Sequence, residues 1–172
     1  MARLRYVEVE TATPDQQKIL GQLTQKSGKI ANIWKLWSHS PHTLEAFIAF
    51  NKSLVKGTLD PKLRELAYMK ASLINNCAYC LEAHKAAGRR IGITEQQIQE
   101  IGTYAASSAF SPLEKLVLRY AEELTITAKT GADVMAELKE HLSEADIVEL
   151  NLTVGTANLT NRFNMSMMTD LD

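Results

Sequence analysis

The placement of the prolines constrains the fold of this chain more than any other feature of its sequence. Each of the four prolines directly follows a residue that can cap a helix, and the pairs are Thr13-Pro14, Ser40-Pro41, Asp60-Pro61 and Ser111-Pro112. Proline is well tolerated at the first position of a helix, because its missing N–H would have no partner there in any case. The side chain before it can accept a hydrogen bond from the first-turn amides. The pattern therefore predicts four helix starts.

Further start and stop signals extend this pattern over the whole chain. Thr94 and Ser143 each begin a capping-box sequence without proline. Gly57, Gly92 and Gly131 fall where helices should end, which is typical of glycines in the left-handed conformation. No segment alternates apolar and polar residues as a strand would. The predicted helices lie near 14–26, 41–55, 61–74, 77–90, 95–104, 112–129, 133–141 and 144–168.

Length, charge and composition narrow the class of protein. The 172 residues, 45% of them apolar, fit a single all-α domain over residues 1–172. Nineteen basic and twenty acidic side chains leave a net charge of −1, which argues against nucleic acid or an anionic membrane as a partner. The sequence has no uninterrupted apolar stretch of about 18 residues, so it predicts no transmembrane helix. The first residues lack the apolar core of a secretory signal, so we expect a cytoplasmic location.

The last predicted helix, 144–168, differs from the others because it is apolar on more than one face. A helix of this kind needs cover on several sides. It either passes through the centre of the domain or packs against another subunit, and the sequence leaves both alternatives open. Methionines near its end, Met165, Met167 and Met168, are typical of an adaptable contact surface.

Residues suited to chemistry cluster between positions 65 and 84. Asn75-Asn76 interrupts two helical patterns, and Asn76 is a suitable N-cap for a helix that begins at Cys77. Cys77 and Cys80 are then one turn apart, close enough to form a disulfide after a modest adjustment. The amides and the dipole at a helix N-terminus favour thiolate, the reactive form of cysteine. The two cysteines of the chain are too few for a disulfide-stapled secreted scaffold.

A histidine and a glutamate extend this cysteine pair. His84 lies one turn after Cys80 and could exchange a proton with its thiol directly or through one water. If the chain folds back at Asn75-Asn76, Glu65 and His84 reach the same level of a helical hairpin. A carboxylate at that level could orient the imidazole and raise its basicity. We therefore expect Glu65 to act together with the cysteines and His84.

The spacing of Glu65, Cys77, Cys80 and His84 resembles the signature of the alkylhydroperoxidase D (AhpD-like) group of the carboxymuconolactone decarboxylase superfamily. The resemblance runs from Ser40-Pro41 through Gly57-Thr58-Leu59-Asp60 and Gly92-Ile93-Thr94 to Asn161-Arg162-Phe163. It implies a small all-helical AhpD-like bundle in which the CxxC motif begins a helix. It also implies a thiol-dependent peroxidase, an oxidoreductase that acts on a small peroxide. The decarboxylase branch usually lacks the cysteine pair, so decarboxylation is not expected.

The resemblance also implies a role for each residue of the signature. In similar proteins the second cysteine, here Cys80, attacks the peroxide and becomes a sulfenic acid, which the first cysteine, here Cys77, resolves to an intramolecular disulfide. The histidine and glutamate, here His84 and Glu65, relay protons through water. Similar proteins are homo-oligomers, commonly trimers or hexamers, re-reduced by a dithiol donor such as a lipoyl or thioredoxin-like protein. No bound cofactor is expected, since the cysteines carry the electrons. Tyr79 stands where some of these peroxidases have a second histidine.

Two other functions remain open from the sequence. The same disulfide chemistry could serve a thiol–disulfide oxidoreductase or redox relay without peroxide specificity. A redox-sensing or zinc-binding interaction module is the second alternative, in which Cys77, Cys80 and His84 would bind zinc with Glu65 as the fourth ligand. Structural zinc sites usually draw on two separated ligand pairs, and the sequence has no second pair.

The remaining histidines and the tryptophans have simpler interpretations. His39, His42 and His141 lack cysteine or carboxylate partners at a usable spacing, and we interpret them as structural or solvated. Trp34 and Trp37 are interpreted as a core or interface cluster. Alternatively they line a pocket above the thiols, which would suit an organic hydroperoxide better than hydrogen peroxide.

Overall fold

The computed structural model of the chain describes residues 1–24 and 28–172. Over these residues it contains nine α-helices, two 3-10 helices and no β-strand, which confirms the predicted all-α fold. The α-helices are α1 (Pro14–Gly21), α2 (Asn32–Trp37), α3 (Pro41–Val55), α4 (Pro61–Ile74), α5 (Ala78–Arg90), α6 (Glu95–Glu100), α7 (Pro112–Thr127), α8 (Ala132–His141) and α9 (Glu144–Met167). The 3-10 helices are Val9–Thr11 and Ile101–Thr103.

Side-chain caps begin several of these helices, as the sequence predicts. The Thr13, Thr94 and Ser111 hydroxyls each accept a hydrogen bond from the backbone amide three residues later. The side-chain oxygen of the glutamine or glutamate at that later position accepts a hydrogen bond from the backbone amide of the capping residue. Asp60 accepts a hydrogen bond from the Lys62 amide at the start of α4. These caps satisfy amides that would otherwise lack a partner within the helix.

The N-terminal helices depart most from the prediction. α1 ends at Gly21, whereas the predicted helix ends near residue 26. Residues 25–27, which include that predicted end, lie outside the described residues. α2 was not predicted, because Ala31 precedes it and no side chain caps its first turn. Without such a cap, a helix of six residues leaves no local start signal in the sequence.

Only one of the three predicted helix-ending glycines is left-handed. Gly92 has a φ of +92°, but Gly57 and Gly131 do not have positive φ, and Ala128, at +57°, ends α7. Gly131 instead precedes α8 as its N-cap. Gly57 lets the Glu149 carboxylate approach the backbone closely, and a Cβ atom there would displace that side chain. That carboxylate accepts hydrogen bonds from the next two amides at 3.2 and 2.8 Å.

The chain divides into two compact units, the first of which is Met1–Val55 with Asn164–Asp172. Trp34 and Trp37 pack against the apolar core of this unit, as predicted for a core cluster. The ring centroids of Trp37 and Phe47 are 4.5 Å apart. The buried core residues are Val7, Ile19, Leu20, Leu44 and Ile48.

The second unit, Lys56–Phe163, holds α4 between two apolar clusters. Leu63 and Ala67 of α4 join a cluster with residues of α7, α8 and α9. Leu66 and Met69, on another face of α4, join a cluster with residues of α6 and α7. Burying a large aliphatic side chain contributes about 1.5–3 kcal/mol, so these contacts fix α4 firmly.

α9 has a buried and an exposed apolar face. Leu150 and Val154 are completely buried, whereas Val148, Leu152 and Leu159 are 57, 39 and 51% exposed. The part of α9 before residue 164 therefore contributes to the core of the second unit and also exposes an apolar stripe. Over the part of the chain that the structure describes, no helix combines the length and apolar character needed to cross a membrane.

Glu114 is a buried carboxylate that joins three elements of the second unit. It forms an ion pair with Lys62 at 2.7 Å, accepts a hydrogen bond from the Ser111 amide at 2.7 Å, and contacts the Gln97 amide group at 3.3 Å. Burial alone would raise the pKa of Glu114, but these partners outweigh it and hold the pKa below its ordinary value.

We expect Glu114→Ala to lower the free energy of unfolding by about 3 kcal/mol, because it leaves buried donors without their acceptor. Since the pKa is lower in the folded state, this stabilisation is complete above the unfolded-state pKa of about 4.3 and is lost as the pH falls through the folded value. Urea unfolding at several pH values should show the gap between wild type and variant narrowing below about pH 4. A gap that is the same in acid as at neutral pH would contradict this explanation.

Candidate active site

The chain reverses direction at Asn75 and Asn76, which joins α4 and α5 into a helical hairpin. Asn75 is the C-cap of α4, and Asn76 has a φ of +55°, a left-handed conformation that asparagine tolerates better than most residues. The Cys77 amide donates to the Ser72 carbonyl at 3.0 Å and closes the reversal. The structure therefore has the predicted fold-back between the two helices.

Cys77, and not Asn76, is the N-cap of α5, so the predicted cap is wrong by one residue. An N-cap requires extended backbone dihedrals, which the positive φ of Asn76 excludes. The Cys77 sulfur accepts a hydrogen bond from the Cys80 amide at 3.4 Å. A cysteine side chain thus takes the place that a serine or aspartate oxygen usually fills.

Cys77 and Cys80 are free thiols in direct contact. The Sγ of Cys77 donates a hydrogen bond to the Sγ of Cys80 across 2.8 Å. A disulfide bond measures about 2.05 Å, so a small side-chain adjustment converts this contact to a bond. The two residues are only 2% and 4% exposed.

Cys77 is the donor in the hydrogen bond between the two sulfurs. Its hydrogen bond to Cys80, and then burial, raise the pKa of Cys77 far above that of an ordinary thiol. The Cys80 amide and the Asn161 side chain act in the opposite direction but are outweighed. Cys80 accepts this hydrogen bond, which would stabilise a negative charge on its sulfur.

The structure brings Glu65 and His84 together across the hairpin. Nδ1 of His84 is 2.7 Å from Oε2 of Glu65, and the two side chains are 25% and 14% exposed. His84 is one turn after Cys80 on α5, and Glu65 is on the first half of α4. In neutral His84 this contact requires the proton on Nδ1, which leaves Nε2 as a proton acceptor.

Tyr68 completes the site and was not predicted as a functional residue. Its ring stacks on the His84 ring with centroids 3.5 Å apart and planes 14° apart. Its hydroxyl forms a short hydrogen bond with Thr160 of α9. A signal was available in the sequence, because Tyr68 is three residues after Glu65 and therefore on the same face of the helix.

A buried amide network lies behind the cysteines. Asn161 is completely buried, donates to the Ser72 hydroxyl at 3.1 Å and accepts from the Asn75 amide at 2.9 Å. It also forms a hydrogen bond with the Cys77 side chain. The asparagines of the last helix, which the sequence does not explain, therefore include one that supports the thiol pair.

The other candidate residues are not part of this constellation. Tyr79 is buried, which agrees with a packing role. His39 and His42 belong to the first unit and His141 ends α8, and all three are exposed. The His39 Nε2 is 2.9 Å from the Arg5 carbonyl. The interpretation of these three histidines as structural or solvated agrees with their positions.

The zinc alternative does not fit the arrangement of the side chains. Among residues 1–24 and 28–172, no group of three or more His, Cys, Asp or Glu side chains is placed to hold a metal ion. The cysteines form one pair and His84 with Glu65 forms another, and they do not converge on one point as four tetrahedral ligands would.

Comparison with known proteins relates the chain to one family. The model of the carboxymuconolactone decarboxylase family matches residues 41–123, which include the whole helical hairpin. A solved protein of unknown function from Agrobacterium tumefaciens, ATU0492, has been suggested to be the antioxidant defence protein AhpD. It is 25% identical to this chain with a TM-score of 0.75, and the match covers 80% of this chain and 95% of that protein.

Two further solved structures share the fold at lower identity. An uncharacterized peroxidase-related protein from Ralstonia eutropha JMP134, with an alkylhydroperoxidase AhpD core, is 21% identical with a TM-score of 0.85, over 99% of this chain and 92% of that one. The debrominase Bmp8, solved as a variant with 2,3,4-tribromopyrrole, is 17% identical with a TM-score of 0.84, over 100% and 94% of the two chains. The match over residues 41–123 thus relates the chain to the carboxymuconolactone decarboxylase family, and the chain has the helical fold of AhpD-like proteins.

Proposed function

We propose that the protein is a thiol-dependent peroxidase that reduces small peroxides with the Cys77–Cys80 pair. One observation carries this proposal: two free thiols in contact at 2.8 Å lie one helical turn from a histidine that a carboxylate holds at 2.7 Å. Nucleophile, resolving thiol, base and orienting acid are the groups that peroxide reduction by cysteine needs. The 25% identity to ATU0492, suggested to be an antioxidant protein, gives further support.

In the proposed first step, Cys80 is oxidised by the peroxide. His84 accepts the proton of the Cys80 thiol, and the thiolate attacks one peroxide oxygen. An S–O bond forms while the O–O bond breaks, so Cys80 becomes a sulfenic acid and the peroxide is reduced to an alcohol, or to water from hydrogen peroxide. His84 returns the proton to the departing oxygen, and Glu65 stabilises the imidazolium in between.

In the proposed second step, Cys77 resolves the sulfenic acid. The Cys77 sulfur attacks the Cys80 sulfur, so that an S–S bond forms, the S–O bond breaks, and the hydroxyl leaves as water with the Cys77 proton. The contact between the sulfurs makes this step intramolecular and therefore fast. The sum is one peroxide reduced and two thiols oxidised to a disulfide.

The burial of the thiols favours a small substrate. Cys80 is 4% exposed, whereas the side chain of His84, one turn later on α5, is 25% exposed. We propose that peroxide enters along the edge of His84. Trp34 and Trp37, in the first unit, remain only a prediction as the lining of a pocket for organic hydroperoxides.

The proposed partners are a dithiol reductant and further copies of the same chain. A lipoyl or thioredoxin-like dithiol would reduce the disulfide by thiol–disulfide exchange. Self-association, as a trimer or hexamer, is supported by the exposed stripe of Val148, Leu152 and Leu159 on α9. Light scattering measures the assembly directly.

A general thiol–disulfide oxidoreductase is the second candidate function. It would use the same cysteine pair, but it has no need of the His84–Glu65 pair, which favours the peroxidase. Debromination, the activity that the name of Bmp8 describes, is related to this chain by fold alone.

Stopped-flow oxidation of the reduced protein separates these functions. We expect one equivalent of hydrogen peroxide to remove two thiols per chain, at least about 10²-fold faster than it oxidises free cysteine at the same pH. Parallel reactions with a small disulfide and with 2,3,4-tribromopyrrole are the comparisons. Peroxide oxidation no faster than that of free cysteine, with rapid oxidation by the disulfide or rapid bromide release, would contradict the peroxidase assignment.

A further inference from the structure

We propose that Tyr68 is a positioning residue that fixes the plane of the His84 ring, so that Nδ1 faces Glu65 and Nε2 remains the proton acceptor. The proposal rests on the function proposed above, in which His84 serves Cys80 as a base. The observation that carries it is the stacking of the two rings, with centroids 3.5 Å apart and planes 14° apart.

Tyr68 and Glu65 restrain different motions of the same imidazole. The hydrogen bond between Nδ1 and Glu65 fixes which edge of the ring faces α4. The phenol ring of Tyr68 covers one face of the imidazole and prevents the ring from tilting. Because Glu65 and Tyr68 are one turn apart on α4, a single helix supplies both restraints.

The hydroxyl of Tyr68 anchors the phenol ring to α9. The Thr160 hydroxyl lies 3.0 Å from the Thr156 carbonyl and 3.1 Å from the Ala157 carbonyl, to which it donates. Because the Thr160 hydroxyl has only one hydrogen and lies within hydrogen-bond distance of these two carbonyls, we assign Tyr68 as the donor in the bond between the two hydroxyls. The phenol hydrogen is therefore not available to a substrate, and Tyr68 acts through His84.

The stack persists through the proposed proton transfers, because Tyr68 stays neutral. Burial raises the pKa of Tyr68 far above its ordinary value, and the nearby Cys80, Glu65 and Cys77 raise it further. A neutral aromatic face stacks on neutral imidazole and also attracts imidazolium. The orientation of His84 is therefore kept whether or not the ring carries a second proton.

Two substitutions separate the aromatic ring from its hydroxyl. Tyr68→Leu removes the stacking surface, and Tyr68→Phe keeps it. In the reduced wild-type protein, ¹⁵N NMR of His84 should show the neutral ring protonated on Nδ1. Tyr68→Leu should shift the population toward the form protonated on Nε2. Glu65→Gln should cause the same shift. Tyr68→Phe should keep the wild-type tautomer. We expect the rate constant for Cys80 oxidation by hydrogen peroxide to fall about tenfold in Tyr68→Leu and to stay within about twofold in Tyr68→Phe.

Tyr120→Phe is the matched control, because Tyr120 is a buried tyrosine of the same unit whose hydroxyl accepts from Asn151 at 2.8 Å. It should change neither the tautomer nor the rate. If the Tyr68→Leu variant does not fold, Tyr68→Met is used in its place, because methionine also has no ring and its flexible side chain can fill the space differently. A wild-type tautomer in the leucine or methionine variant, or a phenylalanine variant as impaired as leucine, would overturn the proposal. The tautomer does not depend on turnover, so a shift in a protein that ignores peroxide would disprove the peroxidase and leave the role of Tyr68 intact.

Discussion

Replacing Cys80 with serine is expected to abolish peroxide reduction, with a loss on the order of 10³-fold or more in the rate constant for peroxide consumption. Serine has nearly the shape of cysteine, but its hydroxyl does not ionise near neutral pH and cannot attack an O–O bond. The start of α5 should persist, because the Cys77 sulfur accepts its cap hydrogen bond from the backbone amide of residue 80. Peroxide loss in single-turnover mixing measures the effect.

The fold and the remaining thiol provide the controls for Cys80→Ser. Far-UV circular dichroism should match wild type, since the substitution replaces one sulfur by oxygen and leaves the backbone amide that Cys77 caps in place. The Cys77 thiol should oxidise slowly in this variant, because burial and its own donated hydrogen bond keep it protonated in wild type. If Cys80→Ser still consumed peroxide rapidly and Cys77→Ser did not, the roles assigned to the two cysteines would be reversed.

Replacing Cys77 with serine is expected to separate the two chemical steps. The first oxidation of Cys80 should stay within about tenfold of wild type, because His84 and Glu65 are unchanged. The sulfenic acid should then accumulate, and steady-state turnover with a dithiol should fall at least about 10²-fold, because the intramolecular partner is gone. A nucleophilic trap specific for sulfenic acid, followed by mass spectrometry, detects the product at Cys80.

The structure makes Cys77→Ser a clean test, because serine is a favoured N-cap and can replace the sulfur that caps α5. A loss of activity in this variant is therefore not explained by loss of the helix start. The chain has no third cysteine, so no other residue can resolve Cys80 within one chain. Wild-type turnover without a trappable sulfenic acid would contradict the assigned role of Cys77.

The helix starts could be predicted because their signals are local. The hydroxyls of Thr13, Thr94 and Ser111 and the carboxylate of Asp60 cap amides two or three residues away. Features that depend on distant residues could not be predicted in this way. Gly57 makes room for a carboxylate that comes from α9, and no spacing pattern in the sequence links the two.

The candidate site likewise combines local features that could be predicted with long-range contacts that could not. Glu65 and His84 meet because a short reversal joins their helices, and the two asparagines that mark this reversal are visible in the sequence. The hydrogen bonds between Tyr68 and Thr160 and between Ser72 and Asn161 join residues about 90 positions apart. Their partners are set by the packing of α9 against α4, which sequence periodicity does not specify.

Mass spectrometry of one tryptic peptide tests the peroxidase proposal most directly. Cleavage after Lys70 and Lys85 releases Ala71–Lys85, a peptide that contains both cysteines and no other tryptic site. In reduced protein this peptide should carry two free thiols. After one equivalent of peroxide and quenching with an alkylating reagent, we expect it to have lost two hydrogen atoms and to carry no alkyl group, which identifies the Cys77–Cys80 disulfide. A peptide that is still doubly alkylated, or one oxidised on a single sulfur with the other thiol free, would contradict the proposed dithiol chemistry.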